Sequence, residues 1–242
     1  MTESQTKPSR NPAAGRKSAP RKHLPLVILK WIGLGLASAW ILAALMLVAM
    51  RWIDPPTTAV QTERRLQAWI YGKPYQKRYE FVPLSGISPQ LQHAVVAAED
   101  ARFYQHHGFD WHAMELAAEG DMEGGRIRGG STITQQLVKN LLLGTSRSLL
   151  RKGVEFTLVP VAELALGKQR ILELYLNVVE WGPGVYGAEA GCRFHYGIAA
   201  RNISRDDASR LAAVLPSPLK RHPERMNRYS EIIQERMRQI GW

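Results

Sequence analysis

The 242-residue sequence has a single cysteine, which excludes an internal disulfide framework in any compartment. Neither a Cys-x-x-Cys nor a His-Glu-x-x-His spacing occurs, so the sequence offers no standard zinc site. Internal repeats are also lacking, and apolar and polar residues alternate over only one short segment. These absences exclude repeat architectures and predict a mainly α protein.

Acidic residues are outnumbered, with 21 Asp and Glu against 32 Lys and Arg, and the net charge is +11. Residues 1–30 alone contribute +6, from seven basic residues and Glu3, which leaves +5 over the other 212 residues. The basicity is therefore mostly that of a tail, and we expect no nucleic-acid partner. With 45% hydrophobic and 22% charged residues the chain is not wholly disordered, and its length suits one ordinary domain plus an appendage.

A run of twenty uncharged residues, Trp31–Met50, follows the tail. A helix of this length crosses a bilayer core of about 30 Å, and the basic residues before it place the N-terminus in the cytoplasm. A cleaved signal peptide is the alternative, since Ala37-Ser38-Ala39 resembles a cleavage site, but that site lies mid-span. A buried soluble helix is disfavoured because the run is apolar on all sides. We expect an uncleaved anchor, with the remaining chain outside the cytoplasm.

Four regions are predicted. Residues 1–30 form a basic, disordered cytoplasmic tail that touches anionic lipid, 31–50 the transmembrane helix, 51–78 a linker in which Pro55-Pro56 breaks the helix, and 79–242 the outer domain. Apolar periodicity predicts its helices, and Lys77–Pro83 is predicted as a strand. Helices are expected over Thr62–Tyr71, Ser88–Ala98, Thr132–Leu143, Ser148–Leu166, Lys168–Val178, Arg205–Leu215 and Tyr229–Ile240, with a glycine-rich loop from Gly120 to Gly130.

Glu99 follows directly on the apolar run Ala94–Ala98. A carboxylate at an apolar pocket has its pKa raised towards values useful in acid–base chemistry, although a solvated glutamate at a helix end is the simpler alternative. His106 is expected to be a hydrogen-bonding structural histidine rather than a metal ligand.

A second segment runs from Arg128 to Asn140, where two glycines lead into a helix start with a Thr132-x-x-Gln135 capping box. Free N–H groups at such a start can bind an anion. Thr132, the two adjacent glutamines and Lys139 form a polar stripe that could contact a sugar and a phosphate. An ordinary capped surface helix remains the alternative.

The third segment places Arg151 and Lys152 four and three residues before Glu155, so that all three can pair on one helix face. This could be a routine surface ion pair worth under about 1 kcal/mol. Together with Arg147 it could instead organise a diphosphate, directly or through a divalent metal.

These segments resemble, in order, the motifs of the peptidoglycan glycosyltransferases (glycosyltransferase family 51), and the match is to their monofunctional, single-spanning form. The resemblance extends from about Tyr79 to Pro223. The motif residues are Glu99, Asp100, Phe103, His106 and Gly108; Arg128 to Asn140 with Gly129 and Gly130; Arg151, Lys152 and Glu155; Lys168 and Ile171 to Asn177 with Gly182, Gly184, Tyr186 and Gly187; and Leu211 to Ala213 with Pro216 to Pro218.

The resemblance implies a lysozyme-like glycosyltransferase domain that polymerises lipid II into glycan strands at the bacterial inner membrane, with the catalytic domain in the periplasm. It implies that Glu99 is the general base and that Glu155 assists, by metal contact or by orienting the cations. The implied substrate-binding residues are Ser131, Gln135, Gln136, Lys139, Arg147, Arg151 and Lys152. No cofactor is required, although a divalent cation (Mg or Mn) could bind at Glu155. The implied partners are lipid II, the nascent strand, membrane lipids, and cell-division and penicillin-binding proteins.

The sequence disfavours three other functions. A lytic muramidase or transglycosylase needs no cationic diphosphate site, so Lys139, Arg147 and Lys152 count against it. A bifunctional synthase also needs transpeptidase motifs; Ser217-Pro-Leu-Lys220 matches the first of them by chance, and the others do not follow it. An inactive anchored scaffold is disfavoured because Glu99 and Glu155 are both present. The sequence departs from the family at Pro160, expected to kink its helix or cost about 3 kcal/mol, over Gly191–Tyr196, and at Asp207.

Overall fold

The computed structural model describes residues 24–122, 130–146 and 148–242. They belong to two compact units, one ending at Ala39 and the other running from Trp40 to Trp242. The prediction of a mainly α protein is confirmed. The helices are α1 Leu24–Ala49, α2 Ala59–Ile70, α3 Pro89–Glu99, α4 Trp111–Met122, α5 Ile133–Val138, α6 Leu149–Val178, α7 Ala188–Tyr196, α8 Arg205–Ala212 and α9 Asn227–Gln239, and the strands are β1 Arg78–Tyr79, β2 Glu180–Gly182 and β3 Val185–Tyr186.

Helix α1 begins at Leu24, seven residues before the predicted Trp31. Lys30 lies inside the helix and its side chain is exposed, which a long aliphatic stem allows without ending the helix. Residues Leu26–Ala49 are long and apolar enough to cross a membrane, and this is the single such helix in the part of the chain that the structure describes.

The last turns of α1 belong to the second unit. The Trp40 indole N–H donates to the Thr157 hydroxyl on α6 at 2.9 Å, and Leu47 is fully buried. The Arg170 guanidinium donates to the Met50 carbonyl at 2.8 Å, just past the end of α1. These contacts fix the end of α1 and the start of the following segment against α6.

Helices α3, α5 and α6 contribute buried apolar residues to the core and carry the candidate site; α5 packs on α6, and α3 packs on α8 and α9. Pro89 occupies the first turn of α3 after the Ser88 cap, as its fixed φ favours. The capping box predicted at α5 is confirmed: the Gln135 N–H donates to the Thr132 hydroxyl at 3.2 Å, and the Thr132 N–H donates to Gln135 Oε1 at 2.9 Å. A π-helical turn, Lys139–Leu143, extends α5.

Helix α6 joins the two helices predicted over Ser148–Leu166 and Lys168–Val178 into one 30-residue element. The break that separated them in the sequence is present at Gly167, whose φ of 73° and ψ of 163° leave the helical region. Pro160 lies inside α6, and the departure from helical dihedrals falls at Gly167 instead of at Pro160. The proline is therefore accommodated within the helix.

Two helices were not predicted. Helix α4 ends at Met122, inside the predicted loop Gly120–Gly130, and residues 123–129 lie outside the described residues. Helix α7 contains the divergent stretch Gly191–Tyr196, and a Cβ at Gly191 would come within 2.9 Å of Trp181. That close approach explains a glycine inside a helix.

The strands form one small sheet in the order β1-β3-β2. β1 pairs with β3 in parallel and β2 pairs with β3 antiparallel, with an irregularity in β2. The strand predicted over Lys77–Pro83 is confirmed only for its first part, Arg78–Tyr79. After β1, the side chain of Asn177, at the end of α6, pairs with the backbone of Val82: its Oδ1 accepts from the Val82 N–H at 2.9 Å, and its Nδ2 donates to the Val82 carbonyl at 2.8 Å.

Candidate active site

Glu99 is the last residue of α3, and its side chain is directed towards α5. Gln136 Nε2 donates to Glu99 Oε2 at 2.7 Å. Burial raises the pKa of Glu99 above its ordinary value, while the hydrogen bond from Gln136 and the charges of Lys139 and Arg221 lower the pKa, and Asp100 raises it. The expected direction of the shift is confirmed, and burial is its largest cause.

Gln136 connects Glu99 to the core. Its Oε1 accepts a hydrogen bond from the Tyr175 hydroxyl on α6 at 3.0 Å, and its backbone carbonyl accepts from Asn140 Nδ2 at 2.9 Å. Tyr175 is fully buried. The sequence indicated Gln136 as a sugar contact and Tyr175 only as a motif position, and the contact between them was missed.

Asp100, next to Glu99, is part of the scaffold. His106 Nε2 lies 2.8 Å from Asp100 Oδ1, and the Gly108 N–H donates to His106 Nδ1 at 3.1 Å. An imidazole that accepts at Nδ1 carries its proton at Nε2, so His106 donates to Asp100 as a neutral ring. The Ile133 N–H also donates to Asp100, at 3.0 Å, which ties the start of α5 to the end of α3. The structural role expected for His106 matches this geometry.

Three further motif residues are constrained by close packing. Phe103 is fully buried. Gly108 has φ 93°, and a Cβ there would lie 2.5 Å from Val159 Cγ1 on α6, so a side chain is excluded on both counts. A Cβ at Gly130 would come within 3.3 Å of a side chain of α4. Gly129 lies outside the described residues.

A cation cluster surrounds Glu155 near the start of α6. Glu155 is buried, its Oε2 binds the Arg151 guanidinium at 2.7 Å, and its Oε1 binds the Lys152 ammonium. The pairing predicted from the spacing is confirmed, although the carboxylate is not the exposed one of a routine surface pair. Arg151 is further held by the Ser146 carbonyl at 2.5 Å. Arg147 lies outside the described residues.

The pKa of Lys139 is affected by the charges of both Glu99 and Glu155. Burial lowers the pKa of Lys139, and Arg151 and Lys152 lower it further, while Glu155 and Glu99 raise it. Within residues 24–122, 130–146 and 148–242 its ammonium has no carboxylate partner within 4.0 Å. Lys139 is therefore a half-buried cation whose pKa is affected by the charges of both Glu99 and Glu155, and a bound anion would stabilise its charged form.

The two remaining residues that were predicted to contact a sugar, Ser131 and Gln135, differ in exposure. Ser131 is exposed just before α5, where a ligand can reach it. Gln135 is only 1% exposed, and its carbonyl oxygen is engaged in the capping box. The structure therefore gives Gln135 a place in the fold, and its predicted contact with a sugar stays a prediction.

A metal at Glu155 fits these residues poorly, since both carboxylate oxygens already bind cations. Within the described ranges no three or more His, Cys, Asp and Glu side chains converge on one point. An ion would have to displace Arg151 or Lys152, or be carried in by an anionic ligand. The geometry supports the alternative in which Glu155 orients the two cations.

Comparison with known proteins gives one consistent result. The family model described as Transglycosylase matches residues 64–240. Proteins named biosynthetic peptidoglycan transglycosylase are similar over most of their length. The one from Pseudomonas putida (strain F1) is 43% identical over 85% of this chain and 89% of its own, and the one from Pseudomonas aeruginosa (strain PAO1) is 43% identical over 84% and 90%. The one from Pseudomonas fluorescens (strain SBW25) is 43% identical over 89% of each chain.

Proposed function

Because this chain belongs to the transglycosylase family, we propose that its site polymerises lipid II, transferring the growing glycan strand from undecaprenyl diphosphate to the 4-hydroxyl of the acceptor sugar. The general activity follows from the family: the chain is a peptidoglycan transglycosylase of cell wall biosynthesis with a lysozyme-like domain. The observation that carries this proposal is the half-buried Lys139, which has no carboxylate partner within 4.0 Å in the described residues although the charges of both Glu99 and Glu155 raise its pKa.

Glu99 acts as general base in this proposal. Its carboxylate takes the proton of the acceptor 4-hydroxyl as that oxygen attacks the anomeric carbon of the donor, and the bond from that carbon to the diphosphate oxygen breaks. A carboxylate whose pKa burial has raised is a stronger base than an exposed one, and this suits proton abstraction near neutral pH.

The cations bind the leaving group. Negative charge grows on the diphosphate as the glycosidic bond breaks, and preorganised cations stabilise that charge best where water is excluded. Lys139 has no carboxylate of its own within 4.0 Å in the described chain, whereas Arg151 and Lys152 are held in place by Glu155. We assign Lys139, Arg151, Lys152 and Arg147 to the diphosphate, and Ser131 and Gln136 to the rim of the sugar site.

No resident cofactor enters this mechanism, and a divalent cation (Mg or Mn) at Glu155 is the alternative. Chelation with EDTA tests it, since the mechanism without metal expects polymerisation to continue. We also propose that the chain lacks transpeptidase activity, because the required motifs do not follow Ser217-Pro-Leu-Lys220.

The proposed location is the bacterial inner membrane. The apolar helix Leu26–Ala49, the one such helix in residues 24–122, 130–146 and 148–242, supports a single-pass anchor. The basic residues before it favour a cytoplasmic N-terminus and a periplasmic catalytic domain. An anchored enzyme meets a substrate whose polyprenyl tail stays in the bilayer, and cell-division and penicillin-binding proteins are the partners proposed beside it.

The test is gel-resolved polymer formation from labelled lipid II in detergent by the full chain. We expect polymer from the wild type and from the matched surface variant Glu231→Gln, and none from Glu99→Gln with substrate binding retained. Polymer from Glu99→Gln would move the base to another residue, Glu155 first. Cleavage of purified glycan strands without polymerisation would favour the lytic reaction, and no reaction with either substrate would favour the scaffold.

The diphosphate site is tested by Lys139→Ala. Loss of a charge-assisted contact to a leaving group costs about 1.5–3 kcal/mol, so we expect kcat/KM for lipid II to fall by about tenfold to a hundredfold. The surface variant Lys73→Ala is the control and should match the wild type. An unchanged kcat/KM in Lys139→Ala would remove this lysine from the donor site.

A further inference from the structure

A chain of two hydrogen bonds runs from the core to the candidate base. The Tyr175 hydroxyl lies 3.0 Å from Gln136 Oε1, and Gln136 Nε2 lies 2.7 Å from Glu99 Oε2. The three residues come from α6, α5 and α3 in turn. Tyr175 is a position of the fourth sequence motif to which no role was given, and the mechanism above does not use it.

The direction of the two hydrogen bonds is set from both ends, because the ionised Glu99 carboxylate only accepts and the Tyr175 hydroxyl has a proton to donate. Burial, together with the negative charges of Glu99 and Asp100, raises the pKa of Tyr175 well above its ordinary value, so its hydroxyl keeps its proton. A protonated hydroxyl donates to an amide oxygen, which leaves the amide N–H₂ of Gln136 to face Glu99. With the hydroxyl removed, the hydrogen bond to Gln136 Oε1 is lost, and the amide can turn its oxygen towards a protonated Glu99 carboxyl group, which donates to it. That arrangement stabilises the neutral form of Glu99 and raises its pKa.

We propose that Tyr175 is a positioning residue for the base: acting through Gln136, it holds a hydrogen-bond donor against Glu99 and so keeps the carboxylate aligned for the acceptor hydroxyl. The proposal deepens the polymerase mechanism and rests on Glu99 being the general base. Tyr175 itself touches no substrate in it.

The effect on pH dependence has a definite sign. A base must be deprotonated to act, so kcat/KM rises with pH along an acidic limb that follows the pKa of Glu99. The donor bond from Gln136 lowers that pKa, as do the charges of Lys139 and Arg221, while burial and Asp100 raise it. Loss of the donor bond leaves the other groups in place and moves the limb to higher pH.

The first experiment compares pH profiles of lipid II polymerisation for the wild type, Tyr175→Phe and Tyr186→Phe. Tyr186 is the matched control because it is equally buried and its hydroxyl bonds Tyr75 at 3.3 Å, away from Glu99. In Tyr175→Phe we expect kcat/KM on the acidic limb to fall about tenfold while KM for lipid II holds, and Tyr186→Phe should keep the wild-type limb. An unmoved limb in Tyr175→Phe would overturn the proposal.

A double variant separates positioning from a general loss of stability. If Tyr175 acts through Gln136, then Gln136→Ala alone already removes the donor bond, and Tyr175→Phe/Gln136→Ala should lose no more on the acidic limb than Gln136→Ala does. Additive losses would mean that Tyr175 acts on Glu99 by another route, and the proposal would be wrong.

A spectroscopic arm keeps the inference independent of turnover. Carbon-13 carboxyl NMR titration of the full chain in detergent, with Glu99→Gln identifying the Glu99 signal, reports the pKa of Glu99 directly. An upward shift of the Glu99 pKa in Tyr175→Phe but not in Tyr186→Phe supports the positioning role of Tyr175 even if lipid II is not polymerised. That combination would reject the proposed function alone. An unchanged Glu99 pKa in Tyr175→Phe, together with normal polymerisation by the wild type, would reject the positioning role of Tyr175 alone.

Discussion

At the scale of single residues, Glu99 lies between two opposing influences. Burial disfavours its charge, and a donor amide with two cations favours it. The pKa nevertheless ends above the ordinary value, so keeping the carboxylate charged at neutral pH costs the folded state free energy. A site whose charge is needed for chemistry and not for folding is expected to show this cost.

Stability measurements should reveal that cost. Because the folded-state pKa of Glu99 is raised, its contribution to stability is fully present below the unfolded value and is lost as pH rises through the folded value. We therefore expect Glu99→Gln to melt at a higher temperature than the wild type at pH 8, with the difference shrinking towards pH 4. Thermal unfolding at the two pH values measures this, and Glu231→Gln serves as the control without a pH-dependent difference. A Glu99→Gln variant that melts below the wild type at pH 8 would contradict the sign.

The environment of Glu99 could be predicted from sequence because it is local: the apolar run just before it already indicates burial. The same is true of the Glu155 cluster, which helical spacing brings together. Tyr175 could not be found in this way, since its contact with Gln136 joins positions 39 residues apart on two helices. Such contacts depend on how α5 and α6 pack, which no local pattern encodes.

At the scale of elements, α6 depends on one glycine. Gly167 has φ 73° and ψ 163°, a conformation that L-residues rarely adopt, and no atom lies within 4 Å of the position its Cβ would occupy. The backbone conformation therefore selects glycine here, without any steric pressure from neighbours. Gly153, earlier in the same helix, also has open space around it but a helical φ.

The same substitution should thus have opposite effects at the two positions. We expect Gly167→Ala to lower the free energy of unfolding by about 1–3 kcal/mol and Gly153→Ala to raise it by about 1 kcal/mol. Chemical denaturation of both variants measures the difference. Equal effects at the two positions would show that the break at Gly167 is not required.

Helices with a clear start signal in the local sequence were predicted, and a helix without one was missed. Helix α5 carries a capping box and α3 carries Ser-Pro at its start, and both were predicted within a few residues. Helix α7 was missed because glycine and polar residues interrupt its apolar pattern, and Trp181 packing on Gly191 stabilises it instead. Tertiary packing supplies what the local sequence of α7 lacks.

At the scale of the whole molecule, the orientation across the membrane is open to a direct test. The single cysteine, Cys192, is fully buried, and burial raises its pKa to about 12, so its thiol stays protonated and unreactive. One added cysteine therefore reports its own location without interference from Cys192.

We expect Gln239→Cys, in the exposed part of α9, to react with a membrane-impermeant maleimide in cells whose inner membrane is intact. Ser9→Cys, in the basic tail, should react only after that membrane is lysed. Mass spectrometry of the purified protein quantifies both reactions. The reverse pattern would invert the proposed orientation, and labelling of both residues in intact cells would rule out a cytoplasmic tail.

The neighbouring residues Gln135 and Gln136 have a consequence for how variants of this protein would be selected. One closes the capping box of α5 and the other bridges Tyr175 to Glu99. A deep mutational scan would therefore find both positions intolerant, but for separable reasons. Losses at 135 should follow protein abundance, because a missing cap costs about 1 kcal/mol of stability, whereas losses at 136 should follow turnover at unchanged abundance. Two identical letters side by side thus report on separate selective pressures, one for folding and one for catalysis.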